Sequence, residues 1–305
     1  MSHITGVIPP VVTPLHDDRS FDRESFDKNV NRMIEAGVHG LFVLGSSGEV
    51  AFSTRERRCE ILAATTDVAG GRVPILAGVI DTQTERVIEH IRDAEKFGVD
   101  GVVVTAPFYA LGGPAQTERH FRVIREATDL PIYAYDIPVC VNTKLDPHML
   151  VKLGSEGVLA GVKDSSGDDV GFRFLVLANR AAGSPLSLLT GHEVVVDGAY
   201  LGGADGSVPG LANVDPNGYV RQWNAYQTGD WSGVAAEQDR LAALMRIAVV
   251  SRGITGFGAG VGSFKTALKL MGVFETNQMP EPVEVLTGDN VEAIRAILIE
   301  AGLLP

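Results

Sequence analysis

The feature that most restricts the fold is a rhythm: short apolar runs, each closed by a polar or glycine-containing loop and most followed by a helical pattern. The runs fall at 6–12, 40–44, 75–80, 101–105, 132–135, 158–163, 186–190 and 206–208. Near-continuous apolar character in so few residues is the mark of parallel strands buried on both faces. Between them, apolar residues recur at three and four spacing, as in Phe26, Val30, Met33 and Ile34, or Val87, Ile91, Ala94 and Phe97. That is the period of an amphipathic helix. Ser53 or Thr54 before Glu56, and Asp81 or Thr82 before Glu85, are candidate N-caps.

Eight strands alternating with helices predict an α/β fold, a closed (β/α)8 or TIM barrel, with a short helix over 194–201 between the last two strands. From Trp231 the pattern is helical only, over 234–249, 263–271 and 291–301. The expected organisation is a barrel over 1–230 and a C-terminal helical extension over 231–305, packed on the barrel or used in assembly. The run SRGITGFGAGVGS follows a helix rather than a strand and opens no βαβ unit. It is therefore expected to be a flexible loop, not a dinucleotide-binding turn.

A chain of 305 residues with 35 glycines and 45% hydrophobic residues suits a tightly packed α/β enzyme. A formal charge of −12 argues against nucleic acid and anionic membrane surfaces as partners. The first residues, MSHITGVIPP, have neither a basic segment nor a long apolar core, and no apolar run is long enough to span a bilayer. With only Cys59 and Cys140, and no metal-type spacing, the cytoplasm is the expected location. The seven histidines form no HxxxH or HExxH pair, so no metal is expected in the chemistry.

In a barrel of this kind the reactive groups gather where strands end. The stretch GVLAGVKDSSGD, 157–168, ends an apolar strand in Lys163 before turning polar. An amine at a dry strand end is a candidate Schiff-base nucleophile, because lost hydration disfavours the ammonium form; a lysine that snorkels to water is the alternative. The other lysines considered (Lys28, Lys96, Lys144, Lys152, Lys265 and Lys269) stand in charge-rich helices or loops and are expected to stay solvated. After the second strand, Gly45-Ser46-Ser47-Gly48-Glu49 offers hydroxyls and closely spaced amides. Such a turn can hold a carboxylate, or can simply cap the next helix. Tyr135 ends the fifth strand as a proton-transferring phenol or a core tyrosine, and Tyr109 follows the fourth.

Together GSSGE, YDIP and GVKDSSGD, supported by GVIPPVVTPL, APFY, GGADG and FKTALKLMG, resemble the dihydrodipicolinate synthase and N-acetylneuraminate lyase family over nearly the whole chain. The resemblance implies a pyruvate-dependent class I aldolase or lyase, usually a homotetramer of tight dimers, with no metal or organic cofactor. By position, Lys163 would form the imine with pyruvate or another 2-oxo acid, and Tyr135 would transfer protons. Ser47 would hold the 2-oxo acid's carboxylate. Ser46 would link Tyr135 to Tyr109, the latter reaching in from a neighbouring subunit. Cys140 stands where lysine-pathway members of the family carry an arginine for the carboxylate of aspartate semialdehyde, and a thiol cannot make that bidentate contact. The expectation is therefore cleavage or formation of an N-acetylneuraminate or 2-keto-3-deoxy sugar acid, with Ser165, His192 and Glu193 as candidates for its hydroxyl-bearing tail. Dihydrodipicolinate (4-hydroxy-tetrahydrodipicolinate) synthesis and a non-catalytic sugar-acid-binding barrel are the alternatives.

Overall fold

The computed structural model describes residues 3–305. Its eight strands are all parallel where they pair: β1 (Gly6–Val7), β2 (Leu41–Val43), β3 (Ile75–Gly78), β4 (Gly101–Thr105), β5 (Ile132–Asp136), β6 (Gly161–Asp164), β7 (Ser187–Thr190) and β8 (Gly206–Ser207). They run in the order β1-β8-β7-β6-β5-β4-β3-β2. A parallel bridge between Pro10 and Phe42 joins the two ends of that order and closes the (β/α)8 barrel. Every strand residue is buried, as expected for a sheet walled by helices.

Several strands are shorter than their apolar runs. The 6–12 run pairs as a strand only at Gly6–Val7, because Pro9 and Pro10 lack the N–H that a ladder needs. The 158–163 run yields its first residues to the helix before it: the Val158 and Leu159 amides both donate to Leu153 O, so pairing begins at Gly161.

Helices follow the strands, and their starts are fixed locally. The Thr54 side chain accepts from Arg57 N and Asp22 accepts from Ser25 N. Gln83, rather than Asp81 or Thr82, caps the helix Thr84–Lys96. The segment between β7 and β8 is a 3-10 turn, Glu193–Val195, running into the helix Val196–Gly202.

Beyond the barrel lie the helices Trp231–Leu244, Gly256–Leu270 and Asp289–Glu300. One continuous hydrophobic core includes strand residues such as Val102 and Val162 and, from these helices, Leu241, Phe264, Leu268 and Leu298. The glycine-rich run is not a flexible loop: from Gly256 onward it is helix, and Gly258 to Leu268 is almost entirely buried. Glycine weakens an exposed helix, but here it permits close approach. A Cβ at Gly258 would lie 2.9 Å from the Ile254 side chain and 3.1 Å from that of Val283. Tertiary packing outweighs propensity.

Candidate active site

Strands β5 and β6 pair with Tyr135 opposite Lys163 in register, so both side chains leave the sheet at one level and on one face. The Lys163 Nζ lies 4.0 Å from the centroid of the Tyr135 ring and 4.8 Å from that of Phe42 on β2. The two rings meet edge to face, with centroids 6.2 Å apart and an interplanar angle of 84°. Lys163 and Tyr135 are 5% and 3% exposed. The lysine thus ends on an aromatic floor, whose attraction for an ammonium amounts to about 0.5–2 kcal/mol per ring. Among the described residues no carboxylate comes within ion-pairing distance of it.

The serine loop stands next to this floor because β2 ends in an unusual backbone. Leu44 and Glu49 both have left-handed conformations, with φ of 56° and 60°, and bracket Ser46 and Ser47. The loop also lies hard against β3, since a Cβ at Gly78 would sit 1.9 Å from Leu44 O. Glu49 N donates to Ser46 O and Val50 N to Gly45 O, while neither the Ser46 nor the Ser47 amide donates to a backbone carbonyl among the described residues. Two partly exposed serines whose amides donate to no backbone carbonyl are groups suited to an anionic oxygen.

Cys140, on the short helix Pro138–Val141 after β5, reaches the same place. Its side chain is exposed at the surface but desolvated enough to raise the thiol above the usual range, while the nearby Ser46 hydroxyl and the charge of Lys163 pull the other way. At the ends of β5 and β6, Asp136 and Asp164 share Lys144, which is 3.6 Å from the latter and in direct contact with the former. Burial raises the Asp136 carboxyl, and the Lys144 ion pair opposes that shift. The aspartate in the YDIP run therefore shares Lys144 with Asp164, and that lysine ties the loop after β5 to the ends of both β5 and β6.

The remaining candidates divide. Ser165, half-buried, lies against the turn at Gly191, where an added Cβ would meet its Oγ at 2.0 Å. His192 pairs with Asp169 at 3.0 Å and lines a cavity of about 250 Å³ shared with Asp164, Arg173 and Thr190, beside the helix Asp169–Ala181. Lys163 is not part of that lining. Glu193 turns towards the loop after β8, where its carboxylate accepts from the Gly210 and Leu211 amides. Burial raises its carboxyl to about 7, against those two bonds and the charge of Lys163. Tyr109 is 95% exposed with φ 70°, so its ring projects away from its own chain.

One lysine departs from the sequence reading. Lys265 is expected in solvent, yet it is 0% exposed and its Nζ lies 2.6 Å from Glu49 Oε1 as an ion pair, directly behind the serine loop. Its partner lies far away in sequence, and only the apolar neighbours in FKTALKL hint at burial.

The model of the dihydrodipicolinate synthetase family matches residues 3–301. An uncharacterized DapA-like lyase of Halobacterium salinarum is 36% identical over 98% of this chain and 94% of its own length. A 4-hydroxy-tetrahydrodipicolinate synthase of Methanoculleus marisnigri is 27% identical over 97% and 99%. Among solved structures, YagE, an E. coli K12 prophage protein of the dihydrodipicolinic acid synthase family crystallised with pyruvate, superposes with a TM-score of 0.93. It is 26% identical, over 99% of this chain and 100% of its own. With the barrel, the strand-end lysine and this near-complete match together, the chain belongs to the dihydrodipicolinate synthetase family and is a lyase of the class I aldolase type.

Proposed function

We propose that Lys163 forms an imine with pyruvate, or with the 2-oxo group of a larger acid, and that the enzyme makes or breaks the bond between the third and fourth carbons, one carbon beyond the imine carbon. The observation that carries this reading is the Lys163 nitrogen, 4.0 Å from the Tyr135 ring and without a carboxylate partner among the described residues. The amine adds to the 2-oxo carbon, and loss of water gives a protonated imine. That imine accepts the electron pair released when the C3–C4 bond breaks, the C4 hydroxyl losing its proton as the aldehyde leaves, or when the adjacent methyl group loses a proton; either way an enamine forms. Tyr135 carries protons to and from the carbinolamine oxygen, and Ser47 with the loop amides holds the carboxylate. Ser46 hands protons between Tyr135 and the Tyr109 of a neighbouring subunit. No metal or organic cofactor enters the scheme.

The substrate in this reading is a 2-keto-3-deoxy sugar acid or N-acetylneuraminate, with Ser165, His192 and Glu193 as the groups for its tail, the last two on exchanging their partners Asp169 and the Gly210 and Leu211 amides for its hydroxyls. Support comes from Cys140: a thiol beside Ser46 offers no cation to a second carboxylate. Synthesis of 4-hydroxy-tetrahydrodipicolinate is the second reading, favoured by the name of the Methanoculleus relative. A cytoplasmic homotetramer completes the proposal. Its supports are the free cysteines, the exposed Tyr109, and an apolar stripe of Val170, Phe174, Leu177 and Leu201, each 49–66% exposed. No helix among the described residues is long and apolar enough to cross a membrane.

Borohydride reduction in the presence of pyruvate tests the chemistry: a stable mass adduct on the peptide bearing Lys163 is expected, and an unmodified lysine refutes it. Release of pyruvate from a panel of 2-keto-3-deoxy sugar acids and N-acetylneuraminate, set beside condensation of pyruvate with aspartate semialdehyde, separates the two substrate readings.

A further inference from the structure

We infer that Glu49 and Lys265 are a positioning pair, through which the helix Gly256–Leu270 of the C-terminal segment holds the serine loop in its carboxylate-binding shape. The inference rests on the reading of that loop given above and assigns a function to two groups that the chemistry leaves unused.

The pair is fully enclosed, with side chains 0% and 3% exposed and a separation of 2.6 Å. Lys265 Nζ also donates to Gln278 O at 2.9 Å, so its position is fixed from two directions within the C-terminal segment. Glu49 belongs to the loop itself: its amide closes the turn onto Ser46 O, and its backbone is left-handed. A non-glycine residue stays in that conformation only where its surroundings hold it there. Two further contacts converge on the same segment. Thr13 Oγ1 donates to Gly48 O at 2.8 Å, and Phe52 packs on Phe257, the second residue of the helix, with centroids 5.3 Å apart.

A buried ion pair is a poor device for stability alone, because well-packed apolar groups of similar size serve as well or better. What it adds is a choice of partner: among the described residues one enclosed ammonium stands at ion-pairing distance from this carboxylate. Ser46 and Ser47 lie three and two residues before Glu49 in the same turn, so releasing the carboxylate frees the hydroxyls and amides that would meet the substrate's anionic end. Lys163 and Tyr135 stand on other strands and do not depend on this clamp for their own contact. The defect should therefore fall on capture of the 2-oxo acid rather than on the chemistry after capture.

The test compares wild type with E49Q/K265M, which removes both charges together and keeps approximate volume. The first readout is borohydride trapping of pyruvate as a function of its concentration. The second is hydrogen exchange of the amides over residues 45–50, followed by mass spectrometry. The half-saturating pyruvate concentration should rise at least tenfold while the trapped amount at saturation stays within threefold of wild type. Exchange over 45–50 should quicken at least tenfold, with that of β4 to β6 unchanged. A folded variant in which either the half-saturation or the loop exchange matches wild type overturns the inference. If wild type itself traps no pyruvate, the imine reading fails and loop exchange alone decides the positioning claim. Should the double variant not fold, Glu49→Gln alone is judged by the same two measurements.

Discussion

Two lysines are buried near the mouth of this barrel, and they are held in opposite ways. Lys265 is locked between Glu49 and Gln278 O with nothing of it exposed. Lys163, 5% exposed, rests on the faces of Tyr135 and Phe42 with no carboxylate at ion-pairing distance among the described residues. An amine fixed by a carboxylate is committed to that bond. One resting on π faces keeps its nitrogen available to an incoming carbonyl. Burial therefore does not mark the reactive lysine; the kind of partner does.

The largest effect expected from this contrast is on chemistry. Lys163→Ala should abolish the borohydride-trapped adduct and lower kcat by about a thousandfold or more, as loss of a covalent nucleophile does. Its melting temperature should stay close to that of wild type. An adduct that persists would move the nucleophile elsewhere and dissolve the comparison.

Lys265→Ala should act through stability instead. It leaves the Glu49 carboxylate enclosed without a partner, which costs about 3–5 kcal/mol. Urea unfolding should show a clear fall in midpoint, most of which E49Q/K265M recovers. A Lys265→Ala midpoint equal to that of wild type would mean that the enclosed carboxylate finds another partner.

Why one of these lysines was legible in the sequence and the other was not has a physical reason. Lys163 closes a run that is apolar on both faces, and period and position suffice to place it on an inward strand end. The eight strands and most helices were readable for the same reason, since a helix-covered parallel sheet writes its burial into consecutive residues. Lys265 lies in a helix whose burial depends on what covers it, and its partner is in the β2 loop, so no local pattern records the pairing. The helix from Gly256 is hidden in the sequence because glycines that disfavour an isolated helix favour one pressed against Ile254 and Val283. The place of Tyr109 after the fourth strand is legible in the sequence, but its exposure has no local signal.

A smaller effect should follow from placing a second cation in the space before Lys163. Cys140→Arg sets a guanidinium beside Ser46, where a substrate carboxylate could meet it. For an aldehyde bearing a carboxylate, such as aspartate semialdehyde, kcat/KM should rise about tenfold relative to a hydroxylated neutral aldehyde. An unchanged ratio would place the second substrate's far end away from Cys140 and weaken the argument drawn from the missing arginine.

The subtlest expectation concerns Glu193, a carboxyl whose charge is felt by Lys163 without contacting it. Burial raises it from the ordinary carboxylate range to about 7 in the folded protein, so the folded state binds this proton more tightly than the unfolded chain. The stability that this contributes is complete at pH values below the unfolded carboxyl's range and is lost as pH rises through about 7. Glu193→Gln removes the titration while keeping an oxygen acceptor for the Gly210 and Leu211 amides. Melting curves from pH 5 to 8 should therefore show wild type losing ground relative to Glu193→Gln as pH increases, with the difference levelling off above the midpoint. Parallel curves would mean that the two amides keep the carboxylate ionised throughout. Lys163 would then face a permanent negative charge at some distance, and its contrast with the directly paired Lys265 would be one of degree rather than of kind.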